Sequence, residues 1–257
     1  MSDIKAIFLD LDGTLLTSDK QINDKDKNTL IHCMNKGIKI ILVSGRPIFY
    51  VESIAKQIDP RVMSMGYNGA YFKDSQLEIN QCISAKHLQQ IRELLDVYSI
   101  QKYYLKGLHV IYSTDMDKRF IYKEVPTRFY TKDIEIGIDI YKILMVDSRL
   151  DVLDDFKKQA QAIVSVTSSH IGSLDVMDKS VNKGNAIDTL IQNYKWNREN
   201  LMAFGDSLND IDMFEKVQYS IAMRNGMDII KEKAWNVTGS NDENGITQAI
   251  EKYVEGI

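Results

Sequence analysis

Residues 6–14 read AIFLDLDGT, an apolar run from Ala6 to Leu9 that passes directly into Asp10, Leu11, Asp12, Gly13 and Thr14. Four consecutive apolar residues suit a strand buried on both faces of a parallel sheet. Alternate residues of an extended chain face one side, so Asp10 and Asp12 can approach a single point just past the strand. In open α/β sheets that point, beyond the carboxyl ends of the strands, is where ligands bind. A solvated acidic turn would read the same way, and the stretch taken alone leaves both readings open.

Outward from it, strands and helices alternate. Leu30, Ile31 and Met34 stand at helical spacing between about Asn23 and Lys36, and Gly37 ends that helix. Ile38 to Val43 reads as a second buried strand. SGRP at 44–47 then opens a helix running to about Ile58, with Pro47 near its first turn. Arg61 to Gly66 suggests a third strand, and NGAYFKDSQLEIN a turn followed by a small hairpin. The rhythm then stops. A helix from about Ser84 to Tyr98, aromatic-rich strands between Ile100 and Tyr112 around Gly107, and a polar, basic and aromatic stretch from Thr114 to Ile134 follow. Further strands are expected at Tyr141 to Val146, Ile163 to Thr167 and Leu174 to Met177, with a helix from Leu150 to Ala160, which together suggest an α+β insert. After Asn182 the parallel rhythm resumes, with helices at 183–194, 207–215, 227–233 and 245–256 and strands at 201–204, 217–222 and 235–238. The simplest account is a discontinuous core of residues 1–81 and 182–257 with 82–181 inserted.

The 257 residues are 44% hydrophobic and 26% charged, with 3 Pro and 2 Cys, which excludes a disordered tail, a collagenous repeat and a disulfide scaffold. A formal net charge of −4 offers no broad basic surface, so neither nucleic acid nor membrane is an expected partner, and no obligate protein partner is evident. Cys33 and Cys82 lie in no paired motif and read as reduced, half-buried thiols. The first ten residues carry an acid and a short apolar run interrupted at Asp10, unlike a signal peptide, and no apolar stretch approaches the roughly 20 residues that span a bilayer. A cytoplasmic protein is the expectation.

Three further elements carry chemistry. Ser44 and Gly45 follow a buried strand and precede a helix, where a hydroxyl and free N–H groups suit an oxyanion, although an ordinary Ser cap would look alike. Lys183, in NKGNAI, stands at a helix start, against the macrodipole, as a cation answering anions would. In GDSLND, Asp206 and Asp210 follow the strand at 201–204 and lie one helical turn apart. Four carboxylates, a hydroxyl and an ammonium thus gather at one sheet edge. Carboxylates so placed repel unless a cation sits among them, and oxygen donors without His or Cys favour Mg²⁺.

DLDGT at 10–14, SGRP at 44–47, Lys183 in NKG and GDSLND at 205–210, in that order, resemble the haloacid dehalogenase-like phosphohydrolases, and the long insert resembles the Cof-type branch with its type IIB cap. The resemblance implies an α/β fold, a Rossmann-like parallel-sheet core with an inserted α+β cap domain. It implies a phosphoric monoester hydrolase that acts on a small phosphorylated metabolite, such as a sugar phosphate, through an aspartyl-phosphate. Asp10 would be the nucleophile, and Asp12 the general acid and base, kept protonated by acidic neighbours. Mg²⁺ would be held by Asp10, the Asp12 carbonyl and Asp206; Asp210 would orient metal-bound water or Lys183. Ser44, Gly45, Lys183 and Asn209 would grip the phosphoryl oxygens. A phosphosugar mutase or phosphotransferase shares the same motifs, and a phosphorylatable receiver module shares the acids, hydroxyl and Lys. Arg46 could reach a substrate or pair with a carboxylate, and Asn68, before Gly69, is a turn former first. The scattered His32, His87, His109 and His170 read as surface or packing residues. So do Tyr103, Tyr104 and Tyr112, whose alternative is a sugar-facing surface. Lys118, Arg119, Lys123 and Arg128 read as a solvated face.

Overall fold

In the computed structural model, residues 3–117, 122–123, 125–131, 137–168 and 171–254 are described. The strands in chain order are β1 (Ala6–Leu9), β2 (Lys39–Val43), β3 (Met63–Gly66), β4 (Tyr71–Lys73), β5 (Glu78–Asn80), β6 (Lys102–Lys106), β7 (Ile111–Ser113), β8 (Thr127–Phe129), β9 (Lys142–Val146), β10 (Ser165–Thr167), β11 (Ser173–Met177), β12 (Leu201–Gly205), β13 (Tyr219–Ala222) and β14 (Asn236–Val237). The helices are α1 (Asp24–Asn35), α2 (Ile48–Ile58), α3 (Ala85–Val97), α4 (Leu150–Ala160), α5 (Lys183–Tyr194), α6 (Ile211–Phe214), α7 (Asp228–Lys233) and α8 (Gly245–Tyr253). The chain divides into two compact units, Met1–Ile79 with Asn182–Ile257, and Asn80–Val181.

In the first unit β1 is central to an eight-stranded sheet of order β14-β13-β12-β1-β2-β3-β4-β5. Its pairings from β14 through β3 are parallel, and β4 joins β3 antiparallel. Both faces are covered, which is why β1 reads as an unbroken apolar run. Ile7 and Leu9 pack with Ile40, Leu42 and Phe204 against Leu30, Val51 and Ile250 of α1, α2 and α8. Ala6 and Phe8 pack on the opposite side with Ile41 and Ala203 against Ile187, Leu190 and Met213 of α5 and α6. Each of the larger of these, Ile, Leu, Val, Phe or Met, contributes about 1.5–3 kcal/mol when fully buried.

Register decides where the chemistry emerges. Leu9 pairs with both Leu42 and Phe204, so Asp10, Ser44 and Asp206 all leave the sheet at the same end. The chain leaves β1 toward β2 on one side and reaches β12 on the other, so Asp10 sits at the topological switch point, the ligand position of doubly wound sheets.

The second unit is a six-stranded sheet of order β10-β11-β9-β6-β7-β8, antiparallel except for the β7–β8 pair. One face packs Leu105, Ile143 and Val176 against Ile91 and Leu95 of α3 and Leu153 and Phe156 of α4. Tyr103 and Tyr112 belong to this core and meet Tyr130 edge-on, so they serve packing. The other face carries Lys106, Lys142 and Asp175, all buried, with Lys142 Nζ 2.6 Å from an Asp175 oxygen.

Three local differences from the sequence reading have simple causes. Strand β8 lies within the stretch read as irregular; it is at the sheet edge with Arg128 and Phe129 exposed, so it shows no buried alternation. The helix expected over 207–215 is a 3-10 turn, Leu208–Asp210, followed by α6, because the Asp210 side chain closes the first turn on its own backbone. Cys33 is fully buried rather than half-buried, and burial pushes its thiol up to about 12. Lys118, Arg119 and His170 lie outside the described residues; Lys123 and Arg128 are exposed. No described helix is long and apolar enough to cross a membrane.

Candidate active site

Lys183 is the first residue of α5, capped by the Asn182 side chain, and its own side chain is fully buried. It can be buried only because it is paired on two sides. Its Nζ lies 2.5 Å from Asp10 Oδ1 and 2.5 Å from Asp210 Oδ1. Burial alone would lower the Lys183 ammonium, but the two carboxylates outweigh it and raise it above the ordinary lysine range. Asp10 moves the other way from the usual salt-bridged acid. Burial, with repulsion from Asp210 and Asp206, outweighs Lys183 and pushes its carboxyl up to about 8.

Asp210, expected to orient metal-bound water or Lys183, contacts Lys183 through one oxygen and turns the other back on its own loop. It is fully buried, and its Oδ2 accepts the backbone N–H groups of Asp206 and Ser207 at 3.0 Å each, forming a capping box with Ser207. Both oxygens are thus occupied, one by the loop and one by Lys183.

Asp12 sits in a cationic setting. Arg46 donates Nε to Oδ2 at 2.6 Å and Nη2 to Oδ1 at 2.8 Å, and Lys20 Nζ is 2.8 Å from Oδ1. Burial would raise this carboxyl, but those bonds and charges bring it down to about 2. The expectation that acidic neighbours keep Asp12 protonated is therefore corrected: its nearest partners are bases, and it rests ionised. Lys20 was missed because only the tight turn Thr17–Gln21, with Lys20 at φ 59°, folds it back toward Asp12.

Gly13 explains how the Asp12–Thr14 turn approaches β12 so closely. Its φ is 82°, and a Cβ there would lie 2.5 Å from Asp206 Oδ2. The turn is also tied by Thr14 Oγ1, which donates to Asp206 Oδ1 at 3.0 Å. Burial, with repulsion from Asp210, pushes the Asp206 carboxyl up to about 6.

Oxygens of Asp10, Asp206 and Asp210 lie within 4.8 Å of one another. The set is all oxygen, and two of its carboxyls are raised by burial and mutual repulsion, an arrangement that fits a hard divalent cation. Because Asp210 is saturated by Lys183 and two N–H groups, Asp10 and Asp206 are the carboxylates that remain to hold it.

Ser44 is buried, and its Oγ accepts the Arg46 N–H at 3.1 Å. Asn68, in left-handed backbone at φ 54°, donates its N–H to the Ser44 carbonyl at 2.8 Å and accepts from Asn209 Nδ2 at 3.2 Å. A Cβ on Gly45 would lie 3.0 Å from Asn68 Oδ1. Ser44, Gly45 and Asn209 are thus joined through Asn68, which the sequence offered only as a turn. The Asn-Gly pair was the visible signal; its side-chain bond was not.

A family model described as haloacid dehalogenase-like hydrolase matches residues 7–250. The chain is 26% identical over 254 residues to a 5-amino-6-(5-phospho-D-ribitylamino)uracil phosphatase of Bacillus subtilis (strain 168), covering 98% of this chain and 96% of that one. Its fold matches that of a haloacid dehalogenase-like hydrolase from Bacteroides thetaiotaomicron at TM-score 0.84 and 25% identity, over 97% and 99% of the two chains. A subclass IIB sugar phosphatase shares the fold at TM-score 0.83 and 21% identity, over 97% and 98%.

Proposed function

The chain belongs to the haloacid dehalogenase-like hydrolases as a phosphoric monoester hydrolase, and from that premise we propose that it is a Mg²⁺-dependent phosphatase of small phosphorylated metabolites, sugar phosphates among them. The observation that carries the reading is the Asp10 carboxylate held by buried Lys183 at the sheet's switch point, with Asp12 two residues on.

Asp10 attacks phosphorus; its oxygen–phosphorus bond forms as the ester oxygen–phosphorus bond breaks, and the departing alkoxide takes a proton from Asp12. A water then attacks the aspartyl-phosphate, gives its proton to Asp12, and releases inorganic phosphate and free Asp10. Lys183 keeps the Asp10 carboxylate aimed and favours its ionised form against the burial that raises it. Ser44, the Gly45 N–H and Asn209 receive phosphoryl oxygens, a positioning role that accounts for most of phosphoryl-transfer catalysis. Asp10, Asp206 and the Asp12 carbonyl would hold Mg²⁺, which would supply charge neutralisation at the phosphoryl group.

Asp12 rests ionised, so it can donate only after its proton affinity rises. An arriving phosphoryl dianion competes for Arg46 and Lys20 and adds negative charge beside Asp12, and both effects work in that direction. An acid/base placed beside the nucleophile also argues for turnover over a persistent phosphoryl mark. As with any chain lacking a membrane-spanning helix among its described residues, a cytoplasmic location is compatible with this reading.

The test is phosphate release from a panel of phosphate esters, with Mg²⁺ and with EDTA. Wild type should be active only with the cation, and Asp10→Asn inactive. Equal activity of the two proteins would sink the reading, and formation of an isomeric sugar phosphate without free phosphate would replace it with a mutase.

A further inference from the structure

The turn that carries Asp12 is anchored from outside by two asparagines on distant loops. Asn225, between β13 and α7, donates Nδ2 to the Gly13 carbonyl at 2.7 Å. Its Oδ1 accepts the backbone N–H of Asn241, between β14 and α8, at 3.0 Å. Asn241 is buried, and its Nδ2 donates to the Leu16 carbonyl at 2.8 Å. The two amides thus form one relay that holds the Asp12–Leu16 turn at both ends. The Asn225 loop is itself bonded to the other catalytic loop: Met223 N–H donates to the Gly205 carbonyl at 3.0 Å, and Met227 N–H to the Asp206 carbonyl at 2.9 Å. A Cβ at Gly226 would lie 2.9 Å from Asp206 Cα, so this contact is tight.

Beside the direct β1–β12 pairing and the Thr14–Asp206 bond, the relay adds a further tie between two strand ends, one bearing Asp12 and Gly13, the other Asp206. In the Gly13–Thr14 peptide the Thr14 N–H donates to the Leu11 carbonyl at 3.4 Å, and the relay fixes the Gly13 carbonyl. We infer that Asn225 and Asn241 are positioning residues for the divalent cation, acting through the Gly13 and Leu16 carbonyls to hold the Asp12 carbonyl and the Asp206 carboxylate at one ligand spacing. The inference rests on the cation reading above and adds residues that touch neither cation nor substrate.

Asn225 is exposed, so its replacement leaves the core intact, whereas Asn241 is buried and less suited to a first test. The probe is Mn²⁺ alone, its free concentration read by electron paramagnetic resonance without substrate. Asn225→Ala and Asn225→Asp, the second of equal size but with an acceptor facing the Gly13 carbonyl, should weaken Mn²⁺ binding about tenfold, the lower end of what outer-sphere partners of metal ligands contribute. Their metal-free melting curves should match wild type. Arg224→Ala removes a neighbouring ion pair to Glu243 from the same loop and should leave the Mn²⁺ dissociation constant unchanged. Wild-type affinity in both Asn225 variants, or equal weakening by Arg224→Ala, overturns the relay and leaves the cation reading standing. A wild-type protein that binds no Mn²⁺ overturns both.

Discussion

Replacing Lys183 with Met keeps side-chain volume and removes the cation that Asp10 and Asp210 share. At an effective dielectric of about 20, opposite unit charges at these 2.5 Å contacts attract by about 7 kcal/mol each before desolvation. Desolvation returns several kcal/mol per ion, and breaking a buried pair by removing one partner costs about 3–5 kcal/mol net. That range is the expected loss in the metal-free protein at pH 8.5, where the Asp10 carboxyl, raised to about 8 even with Lys183 present, is largely ionised in wild type. Without Lys183 its proton affinity rises further, so at pH 5.5 the variant buries a neutral acid and the loss should fall to about 2 kcal/mol or less, the range for an imperfectly satisfied buried polar group. Urea unfolding of both proteins in EDTA at the two pH values measures this. A loss below about 1 kcal/mol at pH 8.5, or one equal at both pH values, would show that Lys183 is not the buried counterion of Asp10.

Wild type itself should respond to pH. Asp10 and Asp206 have carboxyls raised from 3.8 to about 8 and about 6, so the folded state holds their protons more tightly than the unfolded chain. Their contribution to metal-free stability is then greatest below pH 4 and declines as pH rises to 8; Mg²⁺ should flatten that decline, as thermal melts across pH with and without the ion would show. Asp12 acts in a separate window, because its carboxyl at about 2 is depressed: its contribution is present above pH 4 and lost as pH falls toward 2. Arg46→Ala should move the Asp12 titration, followed by carboxyl carbon NMR, from about 2 toward 3.8, and an unmoved titration would show that the guanidinium does not set it. Gly13→Ala forces a methyl to within 2.5 Å of Asp206 Oδ2 at φ 82°, so stability should fall by about 1–3 kcal/mol and Mn²⁺ binding should be lost together. Asp26 caps α8 from α1, accepting the Thr247 N–H at 2.9 Å and its hydroxyl at 2.7 Å; Asp26→Ala should cost about 1–2 kcal/mol in urea unfolding without changing Mn²⁺ affinity.

Most of the sheet was legible because burial on two faces leaves an uninterrupted apolar record, as in Ile7 to Leu9 and Ile40 to Val43. Helices with a side-chain cap were equally plain, Asn182 before α5 and Asn23 before α1 being local signals. Edge strand β8 left no such record, since its Arg128 and Phe129 face solvent. In the site, backbone position was readable and side-chain direction was not. Arg46 turns toward Asp12 because Pro47 is the cap of α2, so the chain has not yet entered the helix at Arg46. Asn225 and Asn241 reach the catalytic turn through tertiary folding alone, and Lys20 through a tight local turn. None of them stands at a spacing that a period of 2.0 or 3.6 would pick out.

Formal charges divide the site into two unequal halves. Asp10, Asp206 and Asp210 face a single Lys183, an excess of two negative charges, with Asp10, Asp210 and Lys183 buried and Asp206 half-buried. Asp12 faces Arg46 and Lys20, an excess of one positive charge closer to solvent. A divalent cation balances the first half, and without it a phosphoryl dianion approaching Asp10 meets like charge that Lys183 cannot offset, since both of its near carboxylates already claim it. The second half cannot rescue that approach, because Arg46 and Lys20 are spent on Asp12 until an anion competes for them. Cation binding should therefore precede productive ester binding, and the two should be positively coupled: the affinity of an inert phosphate analogue should rise with Mg²⁺ concentration, and Mg²⁺ affinity should rise by the same factor with the analogue present. Titration calorimetry in both orders measures the two factors, and independent binding would mean that the charge imbalance is relieved by protons on Asp10 and Asp206 instead of by the metal.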